Sequence, residues 1–384
     1  MFSKYISFNS FNISKKEIIN IKVLHYLIKK NSNLLSSFKK NYKYSFSKDD
    51  LKKLKKFKHI NIIGIGGSIL GAKTIFSFLK PKQKRSYEFI DNLNNISLKK
   101  KKKKKLNIII SKSGNTLETI VNANLFINKE DKNLIISEKK NNYLNKLAAK
   151  LKSDIYEHKN YIGGRFSVLS EVGMLPAELM GLNSKKFKQF NNLINNRVFL
   201  NNLIDNVNET IKLVKLGKKN SIILNYDEKS DDLFKWYQQL IAESLGKNGK
   251  GILPIISTMP KDNHSLMQYY LDGPKNNFFT FFYVNENLKN SVNNKYLDKD
   301  FSFLKGKNLN TILFYQKKAT ENVFKKKGIP FRCFSITQRN EKTLGELFTF
   351  FVLETILLAK AFKVNPFDQP SVELIKTETK RIIK

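Results

Sequence analysis

Two glycine- and hydroxyl-rich stretches of this chain carry the residue types that bind a phosphate group. GIGGSILGAKT (residues 64–74) follows the apolar run HINII, and SKSGNT (residues 111–116) follows LNIII. A glycine-rich loop after a buried strand offers backbone N–H groups to an anion. The second stretch adds hydroxyl groups and Lys112. No magnesium-binding carboxylate accompanies these residues, so the pattern suits a small phosphorylated ligand.

The first stretch matches neither common nucleotide-binding pattern. Gly66 and Gly71 have the separation of a P-loop, but the lysine should follow the second glycine directly and here is Lys73. Gly64 and Gly66 begin a dinucleotide fingerprint, but Ile69 stands where its third glycine should be. A tight strand-to-helix turn without a ligand remains the alternative.

Short apolar runs alternate with longer helical patterns, which predicts an α/β fold with mainly parallel sheets flanked by helices. The candidate strands are HINIIGI, LNIIIS, NLIIS, SIILNY, FFTFFYV, NTILFY and PFRCFSIT. The rhythm restarts near residues 183–192, so we expect two similar units. The predicted segments are a helical N-terminal part (1–45), two α/β domains (46–185 and 186–343), and a C-terminal helix and tail (344–384).

The second stretch also predicts the start of a helix. Asn115 and Glu118 have the spacing of a capping box, with Asn115 as the N-cap. Such a helix would direct free N–H groups at a ligand beside the strand end. An ordinary serine- and threonine-rich helix start would show the same local pattern.

Composition narrows the possible partners and environment. The 70 Lys and Arg residues against 32 Asp and Glu give a net charge of +38, which suggests nucleic acid or an anionic surface. Lysine, asparagine, isoleucine and phenylalanine are all abundant, so we favour compositional drift as the source of this charge, and the lysine-rich residues 99–105 fit a solvated loop.

The lone Cys333 suits a reducing compartment. No apolar run reaches the roughly 18 residues of a membrane span, and the serine-rich N-terminus is an unconvincing targeting signal.

Five motifs in order give the chain a family resemblance. GIGGS with SKSGNT resembles the sugar isomerase (SIS) domain. GGRFSVLSEVG (163–173), QLIAESLGK (239–247), NHS (263–265) and FDQPSVELIK (367–376) narrow the resemblance to the glucose-6-phosphate isomerase family. The resemblance implies two sugar-isomerase-type units and interconversion of glucose 6-phosphate and fructose 6-phosphate through a cis-enediol(ate), without metal or cofactor.

The resemblance also implies catalytic roles for four residues. Glu243 would move the proton between C1 and C2, a task for a positioned carboxylate. His264 would open the sugar ring, assisted by Lys376. Arg165 would stabilise the enediolate, since its planar fork of donors suits an oxyanion. Read without the resemblance, Glu243 is a solvated helix residue, His264 is an unremarkable loop residue and Lys376 is one lysine among many.

The resemblance further implies a set of substrate contacts and a partner. The phosphate would bind the hydroxyls of Ser111, Ser113 and Thr116 with backbone help from Lys112, and the sugar would be lined by Gly67, Ser68, Gln239 and Gln369. Family members are usually cytoplasmic homodimers whose ring-opening histidine crosses the interface, so we expect shared active sites, no membrane and no nucleic acid.

Three positions depart from the family pattern. Ile69 stands in place of an aspartate, Leu245 in place of an asparagine, and Ser371 in place of glycine or alanine. Two other functions remain open at this point. One is an isomerase of the same fold that also accepts mannose 6-phosphate. The other is a non-catalytic sugar-phosphate-binding regulator associated with nucleic acid.

Overall fold

The computed structural model of the chain describes residues 2–13, 17–81, 84–93, 104–286 and 290–383. Its strands are β1 (Ile6–Asn9), β2 (His59–Ile63), β3 (Ser86–Ile90), β4 (Leu106–Ile110), β5 (Lys132–Ser137), β6 (Asp154–Glu157), β7 (Asn220–Asn225), β8 (Leu253–Thr258), β9 (Asn277–Val284) and β10 (Phe331–Ile336).

Its α-helices are α1 (Ile21–Lys30), α2 (Lys48–Leu54), α3 (Leu70–Leu79), α4 (Leu117–Phe126), α5 (Tyr143–Leu151), α6 (Glu171–Leu179), α7 (Phe190–Ile194), α8 (Arg197–Lys215), α9 (Asp231–Leu245), α10 (Met267–Asp272), α11 (Leu309–Lys326), α12 (Glu341–Phe362) and α13 (Pro370–Ile383). Short 3₁₀ turns at Gly66–Ser68, Gly164–Leu169 and Lys261–His264 matter for the site.

The first sheet is entirely parallel, with strand order β3-β2-β4-β5-β6. Its central strands are apolar on both faces, as expected when helices cover a parallel sheet on both sides. The chain moves from β2 to β3 on one side and then crosses to β4 on the other. The carboxyl ends of β2 and β4 therefore form a topological switch point, the place where open α/β sheets bind ligands.

The second sheet has the order β1-β10-β9-β7-β8 and is parallel except for β1. The prediction of two α/β units with mainly parallel sheets and a C-terminal helix is thus confirmed. Because β1 pairs antiparallel with β10, the N-terminal segment predicted as helical (1–45) also supplies an edge strand to the far sheet.

Two local predictions were wrong. Residues 310–315 (NTILFY), predicted as a strand, lie in the 18-residue helix α11, where Asn308 caps the N-terminus by accepting from the Thr311 N–H at 2.8 Å. A short apolar run cannot be assigned to strand or helix by periodicity alone. Helix α4 begins one residue later than predicted, with Thr116 as N-cap, because the Asn115 side chain accepts from the Tyr143 N–H instead.

Helix α12 is the central packing element of the core. Nearly all of its length is buried, and it packs on α8 and α9, while α3 packs on both α6 and α9. Within this core Arg332 of β10 pairs with Glu354 of α12 and donates to the Tyr237 hydroxyl of α9 at 3.1 Å. The helix that carries Glu243 is therefore anchored to the second sheet and to α12.

None of the helices within the described ranges is long and apolar enough to cross a lipid bilayer. The lysine-rich loop predicted at residues 99–105 falls mostly outside the described residues, which resume at Lys104.

Candidate active site

The two glycine-rich stretches lie at the switch point of the first sheet, where the topology brings them together. Residues 64–68 follow β2 and residues 111–116 follow β4, and these strands are hydrogen-bonded neighbours with Ile63 beside Ile109. A Cβ on Gly64 would lie 3.0 Å from the Ile110 carbonyl oxygen, so the loops leave the sheet in close contact. The two loops therefore lie side by side at one edge of the sheet.

The loop after β2 packs directly against the turn that carries Arg165. A Cβ on Gly67 would lie 2.3 Å from the carbonyl carbon of Gly164 and 2.6 Å from the nitrogen of Arg165, so only glycine fits. Ser167 strengthens the contact, since its hydroxyl donates to the Gly67 carbonyl at 3.3 Å. Gly67 is thus a packing residue that lets two site loops meet, and Ser68 beside it is half-buried.

Arg165 is the centre of the site. It is 4% exposed, and all five N–H groups of its guanidinium have acceptors within the chain. These contacts are Nε to Ser244 Oγ (2.9 Å), Nη1 to Glu243 Oε1 (2.8 Å) and Gln369 Oε1 (3.1 Å), and Nη2 to the carbonyls of Pro366 (2.6 Å) and Asp368 (3.0 Å). Burial lowers the pKa of Arg165, and the charges of Glu243 and Asp368 oppose that shift.

Glu243 lies near the end of α9 with both carboxylate oxygens engaged. Oε1 accepts from Arg165, and Oε2 accepts from Gln239 Nε2 at 2.9 Å, one helical turn earlier. About a quarter of the side chain is exposed, so it is not enclosed in the core. The cation and the amide together fix the orientation of this carboxylate.

Gln239 bridges Glu243 to the glycine loop. Gly66 has a positive φ of 54°, and a Cβ there would lie 2.8 Å from Gln239 Nε2. The other amide atom, Gln239 Oε1, is buried and has no hydrogen-bond partner within the described residues. A buried acceptor without a partner is unusual, and a hydroxyl-rich ligand would supply the missing donor.

The loop after β4 is a compact turn whose serine hydroxyls lie close to the Thr116 hydroxyl. Ser111 is buried and its Oγ lies 2.9 Å from Thr116 Oγ1, while Ser113 Oγ lies 3.5 Å from the same atom. Gly114 has a φ of 69°, which favours glycine. Within the described residues, the backbone N–H groups of Lys112, Ser113 and Thr116 donate no hydrogen bond. They are free to bind an anion.

The Lys112 side chain points away from the loop's hydroxyls. Its Nζ donates to the Asn160 carbonyl at 2.8 Å and lies 3.6 Å from Glu138 Oε1. Burial lowers its pKa, with Glu138 acting in the opposite direction. Close to it, the buried His158 has a pKa lowered to about 4 by burial, so its imidazole is neutral near pH 7. The side chain of Lys112 is thus engaged elsewhere, and the predicted backbone contact to a phosphate stays a prediction.

The second sheet has its own switch point, between β7 and β9, but that position is filled by ion pairs. Arg339 pairs with Asp227 after β7 and with Glu286 after β9, and Lys229 lies 2.6 Å from Glu286. Two carboxylates and two cations balance each other there, so no excess positive charge attracts an anionic ligand. The candidate site is therefore confined to the first sheet's edge and α9.

His264 and Lys376 are not joined to this cluster. His264 is exposed in the 3₁₀ turn after β8, and Lys376 is exposed on α13, where it pairs with Glu373 at 2.6 Å. Among the described residues, no hydrogen bond or ion pair connects either one to Arg165 or Glu243. The structure thus brings together Arg165, Glu243, Gln239, Gln369 and the glycine loop within one chain, and leaves the two remaining acid/base residues apart.

The three departures from the family pattern separate clearly in the structure. Ile69 and Leu245 are fully buried in the main hydrophobic core. They occupy packing positions behind the site, where an apolar side chain is stabilising. Ser371 is exposed in the first turn of α13.

Several residues of the site had no assigned role in the sequence analysis. Ser244 and Lys247 lie within QLIAESLGK, whose motif could have indicated them. Asn142 and Asn160 come from distant loops, and only the tertiary structure places them against Gly114 and Lys112. Within the residues that the structure describes, no group of three or more His, Cys, Asp and Glu side chains could hold a metal ion.

Comparisons with known proteins agree on one family. The model of the phosphoglucose isomerase family matches residues 37–257. A glucose-6-phosphate isomerase of Methanocaldococcus jannaschii is 32% identical over 367 residues, covering 89% of this chain and 88% of that protein. One from Mycoplasmopsis pulmonis is 34% identical over 353 residues, covering 84% and 82%.

A solved structure is similar in fold. The crystal structure of a glucose-6-phosphate isomerase from Chlamydia trachomatis superposes with a TM-score of 0.71 at 16% identity, covering 99% of this chain and 89% of that one.

Proposed function

We propose, from the premise that this chain belongs to the phosphoglucose isomerase family, that Glu243 is its catalytic base and Arg165 its enediolate-stabilising cation. The protein is an aldose–ketose isomerase that interconverts glucose 6-phosphate and fructose 6-phosphate, a reaction of glycolysis. The observation that carries the residue assignment is the Arg165–Glu243 ion pair at the sheet's switch point.

The chemistry follows from the placement of these groups. Glu243 removes the C2 proton of open-chain glucose 6-phosphate, and the electrons of that C–H bond form an enediolate. The same carboxyl returns the proton to C1, while the hydroxyl proton moves from the C2 oxygen to the C1 oxygen. The product is fructose 6-phosphate. The Nη1 atom of Arg165 gives up its hydrogen bond to Gln369 and donates to the developing oxyanion instead. The negative charge therefore forms beside a preorganised cation.

The phosphate and sugar contacts complete the proposal. The free N–H groups and hydroxyls of residues 111–116 hold the phosphate, and Gln239 Oε1 accepts from a sugar hydroxyl. Ser68 and Gln369 line the sugar, while Gly67 keeps the loops close enough for both ends to be bound.

His264 and Lys376 lead to a proposal about assembly. Both are exposed and apart from Arg165, and exposed apolar side chains accompany them, such as Leu266 and Tyr269 near His264, and Leu374 and Ile375 on α13. We propose a homodimer in which His264 of one protomer completes the site of the other. The lone, buried Cys333 supports a reducing, cytoplasmic setting.

The activity is tested on the purified full-length chain. Fructose 6-phosphate is supplied and glucose 6-phosphate is detected through a coupled dehydrogenase. Glu243→Gln should lower kcat by about 10²–10⁴-fold, the contribution of a general base. The exposed Glu130→Gln variant should behave as wild type. A folded but inactive wild-type protein refutes the reaction, and near-normal turnover by Glu243→Gln refutes the base.

Shared sites are tested by mixing two inactive variants. Glu243→Gln and His264→Gln chains are unfolded, mixed and refolded together. If base and histidine come from different chains, half of the dimers are hybrids with one intact site each, and about a quarter of wild-type activity returns. No recovery in a mixture shown to contain hybrids refutes the exchange.

A further inference from the structure

Lys247, the last residue of QLIAESLGK, has no part in the reaction proposed above, yet its contacts are extensive. Its ammonium group donates to the carbonyl of Asp368 at 2.6 Å, to Asp368 Oδ1 at 2.7 Å and to the carbonyl of Asn365. Its side chain is only 12% exposed. All of these acceptors lie in residues 365–369, the turn between α12 and α13.

The same turn is held from the other side by Arg165. The Nη2 atom of Arg165 donates to the carbonyls of Pro366 and Asp368, and its Nη1 reaches Gln369. The Asp368 carbonyl therefore accepts from both cations. Lys247 lies four residues after Glu243. One short stretch of chain therefore carries both the proposed base and the lysine that binds this turn.

Helix α13 depends on the turn for its direction. It has no buried residues, and the side-chain hydrogen bonds of its described residues stay within the helix, as in the Lys376–Glu373 and Arg381–Glu378 pairs. Within the described part of the chain, the polar contacts that hold α13 to the rest of the protein are therefore those of residues 365–369.

We propose that Lys247 is a positioning residue: it fixes the turn at residues 365–369 to the end of α9, so that α13 holds Lys376 in its working direction. The proposal rests on the isomerase function assigned above. It predicts an effect on turnover that exceeds the effect on substrate affinity, because the phosphate loop is untouched.

The first test compares Lys247→Met with a matched control in the full-length chain. Lys247→Met should lower kcat by about 10–100-fold with a small change in KM, as a displacement near 1 Å does. Lys250→Met is the control, since Lys250 lies in the same loop but donates to Phe362 at the end of α12 (3.0 Å). Lys247→Arg should restore most of the activity. Equal effects of Lys247→Met and Lys250→Met, or no rescue by arginine, overturn the proposal.

The second test asks whether Lys247 acts through α13. If it does, Lys247→Met combined with Lys376→Met is no slower than Lys376→Met alone, whereas independent residues give multiplied losses. Hydrogen exchange in residues 370–383 should be faster in Lys247→Met and unchanged in Lys250→Met. Multiplied losses or unchanged exchange overturn the proposal.

If the isomerase function itself is wrong, the measurements give a different set of results. An inactive wild type refutes the isomerase, and a fully active Lys376→Met refutes that lysine's role. The exchange measurement still decides whether Lys247 holds α13 in both cases.

Discussion

Arg165 Nη1 lies 2.8 Å from Glu243 Oε1, and this contact joins the two α/β units at the site. Arg165 comes from the turn after the first sheet, and Glu243 from the helix that follows the first parallel strand of the second. In the proposed mechanism, the pair orients the base and puts a cation where the enediolate charge forms. It also means that neither residue can be replaced without disturbing the other.

Arg165→Lys should lower kcat by about 10²–10³-fold, the loss typical of removing a donor to an oxyanion. The guanidinium serves five acceptors, while an ammonium group has three donors on one nitrogen, so the buried Pro366 carbonyl loses its partner. We expect the free energy of unfolding to fall by about 1–3 kcal/mol as well. Coupled assays and urea titration measure both effects.

The exposed Arg197→Lys should leave both quantities unchanged, since its side chain is solvated. An Arg165→Lys variant with wild-type kcat contradicts the assigned role.

Gly114→Ala should raise KM for fructose 6-phosphate at least tenfold, because the phosphate loop cannot keep its shape. The added Cβ would lie 2.2 Å from the Asn142 side chain, and the φ of 69° is unfavourable for alanine. The affinity for inorganic phosphate as a competitive inhibitor should fall in parallel.

Gly217→Ala separates the effect of backbone strain from the effect of a distorted phosphate loop. Gly217 has a φ of 83° with open space around its Cβ position, far along the chain at the end of α8. It should lose about 1–2 kcal/mol of stability from backbone strain and keep a normal KM. Similar KM values in both variants would show that residues 111–116 do not bind phosphate.

Ile69→Asp should lower the free energy of unfolding, although the family has an aspartate at this position. Ile69 is fully buried in the main core, and an unpaired carboxylate in that place costs about 4 kcal/mol or more. Ile69→Val should cost only about 0.5–1.5 kcal/mol. Denaturant unfolding distinguishes them, and an aspartate variant as stable as wild type would disprove the packing role.

His158 should make the protein less stable as the pH falls from about 6.5 to 4. The buried imidazole has a pKa lowered to about 4, so in this range the unfolded chain takes up a proton that the folded chain does not. The lost stability from this group is roughly 3 kcal/mol at the acid end. The difference between wild type and His158→Gln, measured across pH, isolates it from the carboxylates.

If the pH profile of unfolding is the same in His158→Gln as in wild type, the imidazole of His158 is not held neutral.

Much of the site could be predicted because its parts are local. The apolar runs before residues 64 and 111 are strands, and the ends of neighbouring parallel strands must share an edge. Glycines at 67 and 114 and hydroxyls at 111, 113 and 116 are properties of the sequence. Motif order then led to Arg165 and Glu243, which the structure brings into contact.

Other features depend on contacts between segments far apart in the chain. The pairing of β1 with β10 joins residues more than 320 positions apart. Residues 310–315 form a helix because of the whole of α11 and its cap, which the short apolar run did not reveal. Asn115 is not an N-cap because Tyr143 offers it a better partner.

The sequence by itself determined the alternation of strands and helices, the glycine- and hydroxyl-rich loops after β2 and β4, and the motifs that carry the proposed acid/base residues, since each is encoded within a short window. Only the tertiary structure decided that Ile69 is a core residue, that Arg165 has every donor engaged, and that Lys247 holds the turn before α13. Those facts are set by burial and by acceptors from distant segments, and they exist only once the two sheets have packed against α9 and α12.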